Sequence, residues 1–162
     1  MMKNKLYLDT SIPNAYFDNR VPLRQLITQK WFQNDMQDYS VCISALVLEE
    51  ISMIEEKDLR ENLINIVMSS NPIVHEIDKI SIRLADLYLK KEAIPRKENN
   101  DALHIAIAVV NSIPFLASWN FKHIVKARTI YAINEINLKH KYGLIEIGSL
   151  EIYGGAKYGN LL

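Results

Sequence analysis

The chain is poor in the residues that mark several protein classes. Its 162 residues hold one cysteine, Cys42, so no internal disulfide can form and a reducing, cytoplasmic setting is expected. Five glycines and five prolines, with no repeat or Gly/Ser-rich tract, leave no linker. One domain is therefore expected over 1–162, with its core at about 5–148 and a loosely held tail at 149–162. Nowhere do about 18 apolar residues run uninterrupted, and MMKNK with three apolar residues behind it is too short for a signal segment, so neither a membrane span nor export is expected. An excess of charge is missing too. Lys plus Arg and Asp plus Glu stand at 19 each, which argues against a globally basic nucleic-acid binder and leaves any polyanion site to be local.

What is present is apolar: 49% of the chain, enough at this length for a genuine core. Short apolar runs at Leu6–Leu8, Val41–Ile43, Ile73–Ile77, Pro114–Ala117 and Leu144–Ile147 read as strands. Segments of helical spacing separate them: Val21–Tyr39, the stretch after Ser44, Lys57–Ser70, Lys79–Lys91, 99–110 and His123–His140. Alternating strands and helices predict an α/β fold, a three-layer α/β/α sandwich around a mainly parallel sheet of about five strands. Trp31 falls on the apolar side of its helix and reads as core, while Asp78 and Asp86 read as a cap and a solvated acid.

Three acids stand out against this pattern. Asp9 follows the first strand, at the edge where open α/β sheets bind ligands. Glu50 follows Ser44, a good N-cap, by six residues, and a 100° wheel places it among Leu46, Val47, Ile51, Met53 and Ile54, whereas Glu49 turns to the polar side. An ionised carboxylate on an apolar face costs several kcal/mol unless a partner or a metal neutralises it; pairing with a buried Arg, or a place at the helix rim, would also serve. Asp101 opens a helix in which only His104 is polar from Ala102 to Val110. Asp101 can be a plain first-turn acid, although Asn99 or Asn100 would cap equally well. Together, three carboxylates in one cleft repel unless cations neutralise them, and oxygen ligands favour Mg²⁺ or Mn²⁺. Such ions support phosphodiester hydrolysis.

The blocks LYLDTS (Leu6–Ser11), SALVLEEI (Ser44–Ile51), NDALHIAIA (Asn100–Ala108) and SWNFKHI (Ser118–Ile124), in this order, resemble those of the PIN-domain (PilT N-terminus) family, which includes VapC-type toxin ribonucleases. The resemblance spans about residues 5–148 and implies the same three-layer fold and Mg²⁺- or Mn²⁺-dependent endoribonuclease activity, with Asp9, Glu50 and Asp101 as metal-binding and catalytic acids. It implies a catalytic role for Asn120, support from Thr10, Ser11, Ser44 and Ser118, an RNA substrate, a homodimer through the apolar helix Val21–Phe32 and, for a toxin, a cognate antitoxin. Where the family commonly has a fourth acid, this chain has His123. That implies a weakened second metal position, or a His123 that contacts phosphate or metal; an ordinary helix-start residue is the alternative. Between Asn120 and Tyr142 five basic residues, Lys122, Lys126, Arg128, Lys139 and Lys141, face one acid, Glu135, and this local charge is where an RNA backbone is expected to bind. Arg96 and Lys97, in the loop before Asp101, are further phosphate candidates.

Two other functions fit part of the pattern. A catalytically degenerate PIN domain would bind RNA or protein without cutting. Asp9 as a phosphoryl-accepting nucleophile would resemble haloacid-dehalogenase-like phosphatases, but their D-x-D has Ser11 in its second place here.

Overall fold

The computed structural model describes residues 2–154. Five parallel strands, β1 (Asn4–Leu8), β2 (Tyr39–Ser44), β3 (Ile73–His75), β4 (Phe115–Ala117) and β5 (Glu146–Gly148), form one sheet in the order β3-β2-β1-β4-β5. Strand alternation assigns the two faces. Leu6, Leu8, Val41, Ile43 and Ala117 pack toward one side, against α1 (Ser11–Phe17), α3 (Ala45–Ser52) and α4 (Lys57–Ser69). Tyr7, Cys42, Leu116 and Ile147 pack toward the other, against α5 (Lys79–Lys90), α6 (Asn99–Val110) and α7 (Ala127–Lys139). The expected α/β/α sandwich is therefore present, and among the described residues no helix is long and apolar enough to cross a membrane.

The strand order reverses direction between β1 and β4: the chain builds outward from β1 through β2 and β3, then returns to its other side. Loops that leave a parallel sheet at such a point turn to opposite faces, and the crevice between them, at the carboxyl ends of the strands, is where open α/β sheets bind ligands. Asp9 and Ser118 are the first residues of the loops leaving β1 and β4.

Several boundaries differ from the sequence-based expectation, each for a local reason. The helix expected over Val21–Tyr39 is α2 (Pro22–Lys30) followed by a π-turn, Trp31–Asp35, and a 3-10 turn, Met36–Asp38. The wider π-turn changes the angle between successive side chains. Trp31 and Phe32 are buried as expected, but Leu23, 68% exposed, and Leu26 face outward. Met53 points to solvent because α3 has already ended at Ser52. Asp78 caps α5 as expected, its carboxylate accepting the Ser81 amide at 2.8 Å. The last helix starts at Ala127 rather than at His123, because the Asn120 carbonyl takes the amides of Ile124 and Val125 and its side chain takes that of His123. The last strand begins only at Glu146, since the Asn134 side chain occupies both the N–H and the C=O of Ile145.

The tail expected at 149–162 is anchored in the part that the structure describes. Within its described part, residues 150–153 form a 3-10 turn that buries Leu150 and Tyr153. The Tyr153 hydroxyl donates to the carbonyls of Glu146 (3.0 Å) and Leu116 (3.3 Å), and its own carbonyl accepts the Trp31 indole N–H. Gly155 and Gly159 lie outside the described residues. Tyr153 thus ties β4 and β5 to the π-turn. Tyr153→Ala should cost about 3–5 kcal/mol and Tyr153→Phe about 1 kcal/mol, measured by urea denaturation; an alanine variant as stable as the parent would show that the segment is not anchored.

Candidate active site

The site grows from β1. Asp9 is 3% exposed, and its carboxylate is held by the first turn of α1: Oδ1 accepts the Ser11 amide at 3.1 Å and the Ser11 hydroxyl, while Oδ2 accepts the Ser118 hydroxyl from the β4 loop. The two serines then brace the second loop, Ser11 Oγ accepting the Trp119 amide (2.8 Å) and Ser118 Oγ the Asn120 amide (2.9 Å). Burial pushes the Asp9 carboxyl above its ordinary value, against the opposing pull of His104 and the two hydroxyls; the charge of Glu50 adds to the rise.

Glu50 is half-buried on α3, with Glu49 exposed beside it, as the helical wheel requires. Its protein partner is not a buried Arg. The carboxylate Oε1 accepts from His104 Nε2 and, at 2.7 Å, from the Thr10 hydroxyl, while Oε2 has Asn100 Nδ2 at 3.5 Å. His104 Nδ1 lies 2.7 Å from the Tyr7 hydroxyl, which lies 2.7 Å from Ser44 Oγ. With the imidazole neutral, this chain has one consistent polarity: Ser44 donates to Tyr7, Tyr7 to His104, and His104 to Glu50. Burial raises the Glu50 carboxyl, but the hydrogen bond from His104, the positive charge of that imidazole in its protonated form, and then Thr10 and Asn100 outweigh it and hold Glu50 below the usual carboxylate range. Ser44 therefore serves Glu50 at three removes rather than touching an acid.

Asp101 sits in the first turn of α6, whose N-cap residue is Glu98. Its carboxylate does not cap the helix; Oδ2 accepts from the Asn120 side-chain Nδ2 at 3.1 Å, and Asn120 Oδ1 in turn accepts the His123 backbone N–H. Burial raises its pKa first, and the charges of Asp9 and Glu98 raise it further against His104 and His123. Asp9 thus feels both Glu50 and Asp101. Among the described residues no Lys or Arg comes within ion-pair distance of any of the three carboxylates. An oxygen-rich, mutually repelling set of this kind fits a hard divalent cation. Among the described residues the group whose ligand atoms all lie within 4.8 Å of one another is Glu98, Asp101 and His123, with His123 Nε2 3.4 Å from Glu98 Oε1; it shares Asp101 with the three acids but leaves out Asp9 and Glu50.

The remaining expected residues lie farther out. Lys122 and Lys126 are exposed on the turn after Asn120, with Arg128 exposed just beyond, whereas Lys139 pairs with Glu135 at the far end of α7. Arg96 is exposed and paired with Glu92 at 3.3 Å, and its contacts do not join it to the acids. Sequence reasoning misses Glu98, which lies in what reads as a plain charged loop, and His104, which reads only as a polar interruption. The placement of His104 on an apolar helix is the available signal, since a buried imidazole needs partners for both nitrogens.

A model of the PIN domain matches residues 6–126, from the first strand to the turn that carries His123. The chain belongs to the PIN domain family. Two solved structures share its fold. VapBC2 from Rickettsia felis, crystallised bound to a DNA fragment from their promoter, aligns with a TM-score of 0.53 at 16% identity, covering 90% of this chain and 98% of that one. VapC20 from Mycobacterium tuberculosis, described as a Sarcin-Ricin loop cleaving toxin, aligns with a TM-score of 0.55 at 14% identity, covering 72% and 91%. No curated protein sequence matches.

The electrostatics of this PIN domain predict a stability signature. The raised pKa of Asp101 means that its ionised form opposes folding: the folded state holds the proton more tightly, so stability is lost as pH rises from the unfolded toward the folded pKa. Asp101→Asn should therefore be more stable than the parent at neutral pH with divalent ions chelated, and the gain should vanish as pH falls below the ordinary carboxylate range. Thermal melts across pH measure this, and an Asn variant that is less stable at neutral pH would contradict it.

Proposed function

We propose that this PIN domain is a divalent-metal-dependent endoribonuclease, acting in the cytoplasm as the toxin of a toxin–antitoxin pair. What supports the reading is that Glu50 repels Asp9 and Asp9 repels Asp101 where the loops leave β1 and β4, with, among the described residues, no Lys or Arg within ion-pair distance of any of the three and the His104 imidazole as the only base bonded to Glu50. Asp9, Glu50 and Asp101 would hold Mg²⁺ or Mn²⁺, with Glu98 and His123 beside Asp101. Such an ion would lower the pKa of a bound water and stabilise charge on a reacting phosphate.

The chain's own groups do the positioning. Ser11 and Ser118 fix both oxygens of Asp9. His104 and Thr10 share Oε1 of Glu50 and so leave Oε2, with its single long contact, to face the crevice. Asn120 ties the β4 loop to Asp101 and keeps the two sides of the crevice in register. Exposed Lys122, Lys126 and Arg128 beside Asn120 supply the local positive charge that an RNA backbone requires. By analogy, the fold shared with proteins described as VapBC2 and as a toxin supports an antitoxin partner. The outward Leu23 and Leu26 on α2 are consistent with a protein contact, a homodimer included.

Purified protein should cleave RNA with Mg²⁺ or Mn²⁺ and stop in chelator. Asp9→Asn, Glu50→Gln and Asp101→Asn should each slow cleavage by more than the roughly 10- to 100-fold that loss of an outer partner costs at a metal site. Cleavage that survives chelation, or survives in Asp101→Asn, would refute the mechanism. RNA binding without cleavage under any divalent ion would instead favour the non-catalytic reading.

A further inference from the structure

We propose that Phe121, braced by Arg24 and Trp119, is a platform on which one unpaired RNA base stacks beside the scissile phosphate; the inference rests on the nuclease function proposed for this site. Phe121 is 47% exposed, although it follows directly on Ser118, Trp119 and Asn120, which are buried or half-buried. Its position is rigidly set. The Trp119 indole N–H donates to Thr28 Oγ1 at 3.0 Å, the Trp119 amide donates to Ser11 Oγ, and the Phe121 amide donates to the Trp119 carbonyl at 3.1 Å. Ser11 Oγ is the group that binds Asp9, and Asn120, between the two aromatics, binds Asp101. The exposed ring therefore hangs from the same short turn that braces two of the three acids.

Arg24 turns an exposed phenylalanine into a recognition surface. Its guanidinium stands 5.2 Å from the Trp119 ring centroid and 5.7 Å from that of Phe121, while the two rings meet edge to face with centroids 6.1 Å apart. Nucleic-acid sites combine an aromatic face that takes any base with a planar cation beside it. Lys122, next in the chain, is exposed and adds charge for the backbone. A base can reach such a platform only if it is unstacked from its neighbours, so the geometry selects single strands, loops and bulges over continuous duplex.

The test uses binding, in Asp101→Asn protein so that the RNA stays intact, with a short single-stranded oligoribonucleotide carrying one aminopurine. The fluorescence of this adenine analogue should be quenched on binding. Phe121→Leu, apolar but not aromatic, should bind about tenfold or more weakly and lose the quenching, while Phe121→Trp should keep both. Replacing the aminopurine with an abasic residue should weaken the Phe121-containing protein by a similar factor and Phe121→Leu by almost none, a coupling that a merely structural role would not give. Leucine binding as tightly as phenylalanine, equal abasic penalties in both proteins, or an effect of Phe121→Leu on self-association alone would overturn the platform while leaving the nuclease reading intact. If Phe121-containing protein binds no RNA, the nuclease reading falls and the platform with it.

Discussion

The structure is organised around a repulsion. Asp9 is buried at the point where the strand order reverses, its oxygens are held by neutral serine hydroxyls, and among the described residues neither it nor the nearby Glu50 and Asp101 has a Lys or Arg within ion-pair distance, the His104 imidazole being the only base bonded to Glu50. A fold that only needed stability would place apolar residues there. Instead the loops after β1 and β4 are laced together by Ser11, Ser118 and Asn120 so that the acids stay close. Local instability of this sort is expected where binding energy is to be recovered from a ligand.

Glu50 shows how the surrounding core manages the problem. Tyr7 on β1, Ser44 at the end of β2 and His104 on α6 stand among apolar side chains, and their polar atoms form one continuous chain that ends on Oε1. A chain of this kind fixes orientation more than it adds stability, because every member is satisfied only if all are in place. It couples the first strand, the second strand and the central helix to one carboxylate. The proposed consequence is a Glu50 held ionised with its second oxygen directed at the crevice.

Much of this is legible in the amino-acid sequence, and the limits are physical. Strand and helix order follows from periodicity, and Glu50 is separable from Glu49 because a helical face is a geometric property of spacing alone. Its partner is not legible: Glu50 and His104 are 54 positions apart, and only the parallel pairing of the strands with α6 packed behind them brings the two together. Short-range exceptions escape for a different reason. The helix widens into a π-turn at Trp31, Leu23 and Leu26 on the α2 before it face outward, and the Asn134 amide replaces a strand partner at Ile145, yet none of these leaves a mark on hydrophobic periodicity. Tyr153 is hidden among glycines that suggest a loose tail, although two carbonyls at the sheet edge accept its hydroxyl.

Asp101 belongs to two acid sets, a compact one with Glu98 and His123 and a second with Asp9 and Glu50, and this sharpens the question of where an ion would sit. Anomalous scattering from a crystal soaked in Mn²⁺ answers it directly. The account predicts a peak bounded by carboxylate oxygens of Asp9, Glu50 and Asp101, whether or not a second appears beside His123. Density confined to Glu98 and His123, or no bound ion near Asp9, would contradict it.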